Sequence, residues 1–188
     1  YRSQLPAGSS ISNMNIGSHI CVDYQMVLSK GLSGIRQQVH DKLSKLELTE
    51  VQDIQKHQFY NAADIALQAA CWFAQRYAEL ARNLAQKERN VQRRAELNRI
   101  AEICDHVPAH PARGFYEALQ SIWLVYIVLM IEGWGPGISF GRMDQYLYPF
   151  YRKDIKEDTI SREKARELIA LFCIKINELA MRFSFEDV

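Results

Sequence analysis

The sequence predicts a mainly α-helical chain, and three observations carry that reading. A helical pattern runs from about residue 49 to residue 89 without a proline or glycine. The strongest apolar run, residues 122–131, is half of the roughly 20 residues that a bilayer span needs. It reads instead as a helix buried on all sides inside a larger body. Strand-like pieces, finally, are too few to build an independent sheet.

The elements follow in order. Residues 1–18 are rich in Ser, Asn and Gly and predict irregular structure. Asp23 can cap a short helix through Ser29, which Gly31 ends or kinks, and another helix covers residues 33–45. Thr49 followed by Gln52 has the form of a capping box. In the long helix beyond it, Phe73, Tyr77, Leu80 and Leu84 share one face. The polar stretch 86–94 marks a helix junction, and the next helix, residues 91–104, stops before Pro108. Residues 107–112 are an extended connector, and residues 115–132 form the most apolar helix. A glycine-rich loop or short strand fills 133–141, with a short aromatic helix at 144–151. Ser161 caps the last helix, whose buried stripe is Ala165, Leu168, Phe172 and Leu179. Trp72, Phe73, Trp123 and Tyr126 stand at helical positions and are expected in the core.

Composition excludes several classes. Hydrophobic residues make up 48% and charged residues 24% of 188, an ordinary globular balance. A net charge of +1 without a basic face argues against nucleic-acid binding, and the missing span argues against membrane insertion. Cys21, Cys71, Cys104 and Cys173 form no C-x-x-C pair, so buried free thiols in a reducing cytoplasm are expected rather than disulfides. The chain opens on Tyr1, not methionine, so a piece cut from something longer is expected.

Few residues invite chemistry. Cys104, Asp105, His106 and His110 lie close in sequence, but prolines interrupt them and no zinc spacing matches. His19 and Asp23, at i and i+4, could form an acid/base pair or a local hydrogen bond. Residues 133–142 are neither a dinucleotide loop nor a P-loop. They form either a tight loop bringing Ser139 and backbone amides to a pocket or a close-packed turn, braced by Arg142 and Asp144.

Three segments together resemble one family. The first is His19-Ile20-Cys21-Val22-Asp23-Tyr24, continuing through Val27-Leu28 to Gly31-Leu32-Ser33-Gly34-Ile35. The second is Val107-Pro108 with Pro111-Ala112-Arg113, then Phe115 to Gln120 and Trp123. The third and most specific is Ile138-Ser139-Phe140-Gly141-Arg142 with Asp144 to Pro149, followed by Tyr151, Asp154 and Lys175 to Glu178. Their order and spacing resemble glycyl radical enzymes of the pyruvate formate-lyase type, in the lyase, dehydratase and decarboxylase branch.

The resemblance implies an α/β fold, a ten-stranded barrel ringed by helices, of which this portion is mainly α-helical. Residues 1–188 are then part of a single such domain, with the cysteine loop and C-terminal glycyl segment absent. In the family a backbone glycyl radical oxidises a cysteine, whose thiyl abstracts hydrogen from a small substrate. A water-free interior suits that chemistry. No Gly-Cys-x-Glu loop occurs here, so none of the four cysteines takes the thiyl role. By resemblance, His19 contacts substrate hydroxyls, and Ser139 hydrogen-bonds a substrate hydroxyl or carboxylate. Gly135-Pro136-Gly137 stands where many relatives carry polar residues, which implies a pocket reshaped for another substrate, and Gly114 where relatives often carry threonine.

No cofactor is expected to bind this chain directly; the whole enzyme would carry a glycyl radical installed by a radical SAM activase. Implied partners are that activase, a small-molecule substrate, the remainder of the same enzyme and, when complete, a second copy in a homodimer. The chain is expected to be cytoplasmic and, alone, inert. The competing expectation is a self-contained helical interaction module without catalytic activity. A barrel piece should leave large apolar faces bare, and a complete module should not.

Overall fold

The computed structural model describes residues 20–132 and 137–184, with residues 179–184 as backbone alone. Six helices and one strand pair appear among them: β1 (Ile20–Cys21), α1 (Tyr24–Leu43), α2 (Val51–Lys87), α3 (Val91–His106), α4 (Phe115–Ile131), β2 (Ile138–Ser139), α5 (Met143–Lys156) and α6 (Arg162–Ser184). The strands pair in parallel, Ile20 with Ile138 and Cys21 with Ser139. Parallel neighbours need a long crossover, and here the whole α1–α4 segment supplies it.

The core gathers around α4. Phe115, Leu119 and Ile122 meet Tyr24, Leu28 and Leu32 of α1, Leu147 of α5, and Leu168 and Phe172 of α6. Asp23 caps α1 as expected, its carboxylate accepting from the Met26 amide at 2.9 Å. Gly31 kinks that helix with φ +66°. A β-carbon there would overlap the Ala109 carbonyl oxygen and the His110 backbone, so only glycine fits.

The kink frees backbone groups, and residues 107–112 take them up. The Leu32 and Ser33 amides donate to the Pro108 and Ala109 carbonyls at 2.8 and 2.9 Å, and the Ala112 amide donates to Leu28 O at 3.0 Å. The connector is thus stitched into the break in α1. It runs on to Gly114, where Asp154 of α5 accepts from the Phe115 amide at 2.7 Å and caps α4. A side chain at residue 114 would meet that carboxylate at 2.7 Å, which accounts for the glycine.

Other expectations are corrected. The cap of α2 is Glu50 without a side-chain bond, not Thr49 with Gln52; Asp53 instead accepts from the Glu47 amide at 3.2 Å. The helix predicted at 144–151 extends to Lys156 with Pro149 inside it. Ser161 does cap α6, and Ala165, Leu168 and Phe172 are buried, whereas the side chain of Leu179 lies outside the described residues. Phe73 is half-buried, but Tyr77, Leu80 and Leu84 on the same face of α2 are exposed. The buried stripe of α2 is instead Ala70, Ala74, Ala78, Ala81 and Ala85, small residues that let α3 and α4 approach closely. Trp72, expected in the core, is 60% exposed. Cys71 and Cys104 are buried as expected, but Cys21 and Cys173 are exposed.

Candidate substrate-pocket wall

The strand pair carries the pocket expectation. In a strand, alternate side chains face opposite sides. Ile138 is buried and Ile20 packs against the small cluster of Tyr126, Met130 and Ile138, which leaves Cys21 and Ser139 exposed side by side. The Ser139 hydroxyl accepts from the Gly141 amide at 3.1 Å, and its own hydrogen has no acceptor among the described residues. Gly141 takes φ +62°, and a β-carbon there would lie 3.0 Å from the Cys21 sulfur. Residues 137–142 therefore make a close-packed turn on which Ser139 is exposed.

Behind this face sits an aromatic floor. Tyr24 stacks on Phe140 at 6.0 Å and tilts against Tyr146 at 5.9 Å, while Tyr126 meets Phe140 at 4.8 Å. Tyr146 donates to the Phe140 carbonyl at 2.7 Å. The Tyr24 hydroxyl is buried and has no hydrogen-bond partner among the described residues. Burial pushes its phenol well above the usual range, and the neighbouring Tyr146, Tyr126 and Cys21 add to the shift. His19, the other expected substrate contact, lies outside the described residues, as do 133–136. Asp23 spends one oxygen on the helix cap.

The remaining titratable groups have local tasks. Arg142 and Asp144 form a bidentate, exposed ion pair at 3.0 and 2.8 Å that braces the turn. Cys104 faces Ala74, Ala78 and Leu124, and burial raises its thiol to about 11. Asp105 turns to Arg82 and His106 to the Pro111 carbonyl at 2.9 Å, so these neighbours in sequence point to different partners. Glu117, 8% exposed, receives the Arg113 amide at 2.7 Å and its guanidinium at 2.9 and 2.5 Å. Burial raises this carboxyl, but the Arg113 hydrogen bonds outweigh it and leave Glu117 below its ordinary value.

Two apolar faces stay open. Tyr77, Leu80 and Leu84 line a groove with Leu97, Trp123 and Ile127, a cavity of about 200 Å³. Trp123 also borders a second hollow of about 210 Å³ against Leu171 and Phe172 of α6.

Comparison with known proteins decides the family. The pyruvate formate lyase-like family model matches residues 7–183. This chain belongs to that family. Among relatives, the probable dehydratase YbiW of Escherichia coli (strain K12) is 40% identical over 169 residues, 89% of this chain and 21% of that protein. An isethionate sulfite-lyase of Oleidesulfovibrio alaskensis is 42% identical over 149 residues, 78% of this chain and 18% of that protein. The glycerol-bound, B12-independent glycerol dehydratase from Clostridium butyricum superposes with a TM-score of 0.81 at 38% identity, over 87% of this chain and 20% of that one. A structure described for 1,2-propanediol dehydration in Roseburia inulinivorans gives a TM-score of 0.78 at 41% identity, over 81% and 18% of the two chains.

The chain thus spans about a fifth of the length of the relatives it matches. Its fold is a mainly helical segment of the pyruvate formate lyase-like barrel. A glycyl radical enzyme from Archaeoglobus fulgidus is a further structural neighbour, with a TM-score of 0.76 at 42% identity over 81% of this chain and 20% of that one. Among the described residues no helix is long and apolar enough to cross a membrane. From the sequence, Cys21 is expected among four buried thiols, and Tyr24 stands only within the first family motif.

Proposed function

We propose that this chain forms part of the barrel wall and substrate pocket of a glycyl radical lyase or dehydratase. Residues 1–188 then make up part of one domain whose thiyl cysteine and radical glycine lie elsewhere. The complete enzyme abstracts hydrogen from a small hydroxylated substrate and so cleaves a bond from carbon to oxygen, carbon, nitrogen or sulfur. The observation that carries this reading is the exposed Ser139 hydroxyl on a parallel strand pair, its hydrogen without an acceptor among the described residues. Relatives named as dehydratases and sulfite-lyases support the branch.

His19, two residues before Cys21, is proposed as the second substrate contact. The radical would be installed by a radical SAM activase in the cytoplasm, and the whole enzyme would pair as a homodimer. The open apolar grooves on α2 and α6 weigh against a self-contained interaction module and suit burial by the remainder of the same enzyme. The test uses the full-length enzyme, anaerobically activated. Ser139→Ala and His19→Ala should each lower kcat/KM by about 10-fold or more, in line with loss of a hydrogen bond to bound substrate. The glycyl radical signal should stay unchanged, and His40→Ala should cost far less. Equal turnover of all three variants would remove both residues from the pocket.

A further inference from the structure

The register of the strand pair has a consequence for selectivity, and it rests on the reading that Ser139 meets substrate. We propose that Cys21 is a specificity-determining residue of that pocket: its thiol makes the wall beside the Ser139-bound hydroxyl full and nearly apolar. The substrate class this selects carries one hydroxyl toward Ser139 and a hydrogen- or carbon-only substituent toward Cys21.

Three observations meet here. Cys21 and Ser139 are register partners and both are exposed, so neighbouring strands set them about 4.8 Å apart on one face. A small molecule held by the Ser139 hydroxyl therefore lies against the Cys21 sulfur. Next, the Cys21 sulfur lies 3.0 Å from the β-carbon position of Gly141, so the thiol packs over the turn that carries Ser139. Last, Tyr24 is 1% exposed and its hydroxyl has no partner among the described residues, so the Cys21 thiol is not tied to it by a hydrogen bond.

A thiol is a weak donor and a weak acceptor. It fills volume next to Ser139 but offers little to a second substrate hydroxyl, which would be desolvated there without a partner. Serine at residue 21 would reverse that preference, because its hydroxyl could pair with a second substrate hydroxyl.

The experiment uses the full-length enzyme, unactivated and anaerobic, with 1,2-propanediol and glycerol as probes that differ by one hydroxyl. Alkylation of Cys21 by iodoacetamide is followed by peptide mass spectrometry, and affinities are read from protection and from calorimetry. 1,2-Propanediol should protect Cys21 at a concentration about tenfold below that of glycerol. Cys21→Ser should shift the affinity ratio toward glycerol by about tenfold, and Ser139→Ala should weaken both probes alike. Failure of iodoacetamide to reach Cys21, absence of protection by either probe, or an unchanged ratio in Cys21→Ser overturns the proposal. If instead both probes bind Ser139→Ala as tightly as the natural protein, the underlying assignment of Ser139 fails, whatever Cys21 does.

Discussion

The junction around Gly31 and the outer faces of α2 and α6 treat their exposed chemistry in opposite ways. At the junction, the backbone groups freed by the kink find partners in residues 107–112, and the first turn of α4 finds Asp154. Glu117 and Arg113 satisfy one another beside it. On α2 and α6, large apolar side chains such as Phe59, Ile65, Trp72, Leu80 and Ile174 stand in solvent. The first region is complete within the chain, and the second is not. A wall segment must hold its own shape where its loops cross, yet keep an apolar surface for whatever covers it. The polar demands are met locally because an unpaired buried group is costly, while apolar area gains only when another surface arrives.

The sharpest break in that comparison is Gly31→Ala. It would force a β-carbon into the Ala109 carbonyl and an alanine into φ +66°, so the stitch must come apart. A loss of about 3 kcal/mol or more in the full-length enzyme is expected. Thermal unfolding and limited proteolysis near residue 109 read it; a midpoint within a degree of the natural protein would show the junction to be dispensable.

The open side is sharpened by charging it. Leu80→Lys with Leu84→Lys should raise soluble recovery of the 188-residue chain several-fold and lower its binding of a hydrophobic dye. The same pair in the full-length enzyme should reduce folded yield. Improvement in both contexts would mean that nothing packs on the groove.

Glu117→Gln comes next, at about 1–2 kcal/mol near neutral pH, since the Arg113 hydrogen bonds lose their charge. The folded-state pKa of Glu117 is lowered, so its contribution is present above the ordinary value of 4.5 and is lost as pH falls through the lower folded value. Denaturation curves of the natural enzyme and the Glu117→Gln variant should therefore converge in acid; a gap that persists or widens there would show that the charge is not what matters.

The smallest effect is expected at the exposed brace. Asp144→Asn breaks the pair with Arg142 but leaves the Ser139–Gly141 bond, so the unfolding midpoint should not move measurably. Substrate affinity should change less than twofold. A larger loss would place that carboxylate in the pocket.

Much of the helical frame is legible in the order of residues alone. Asp23, Gly31, Pro108 and Ser161 punctuate the chain through local backbone preferences, which act over a few residues and need no partner. Thr49 misleads because a capping box competes with Glu50 for the helix start, and Asp53 turns back to the Glu47 amide. Helical period also places Tyr77, Leu80 and Leu84 on one face, but period alone does not say which face is buried. The alanine stripe wins that contest because small side chains let α3 come close, a matter of volume between helices.

What the sequence determined by itself, then, was where helices start, bend and stop, together with the motifs that belong to the family. Only the tertiary structure decided that Cys21 pairs with Ser139 and that Tyr24 lies beneath them. Those partners are separated by more than a hundred residues of crossover. A pairing between residues so far apart depends on how the helices between them pack, which no local preference encodes.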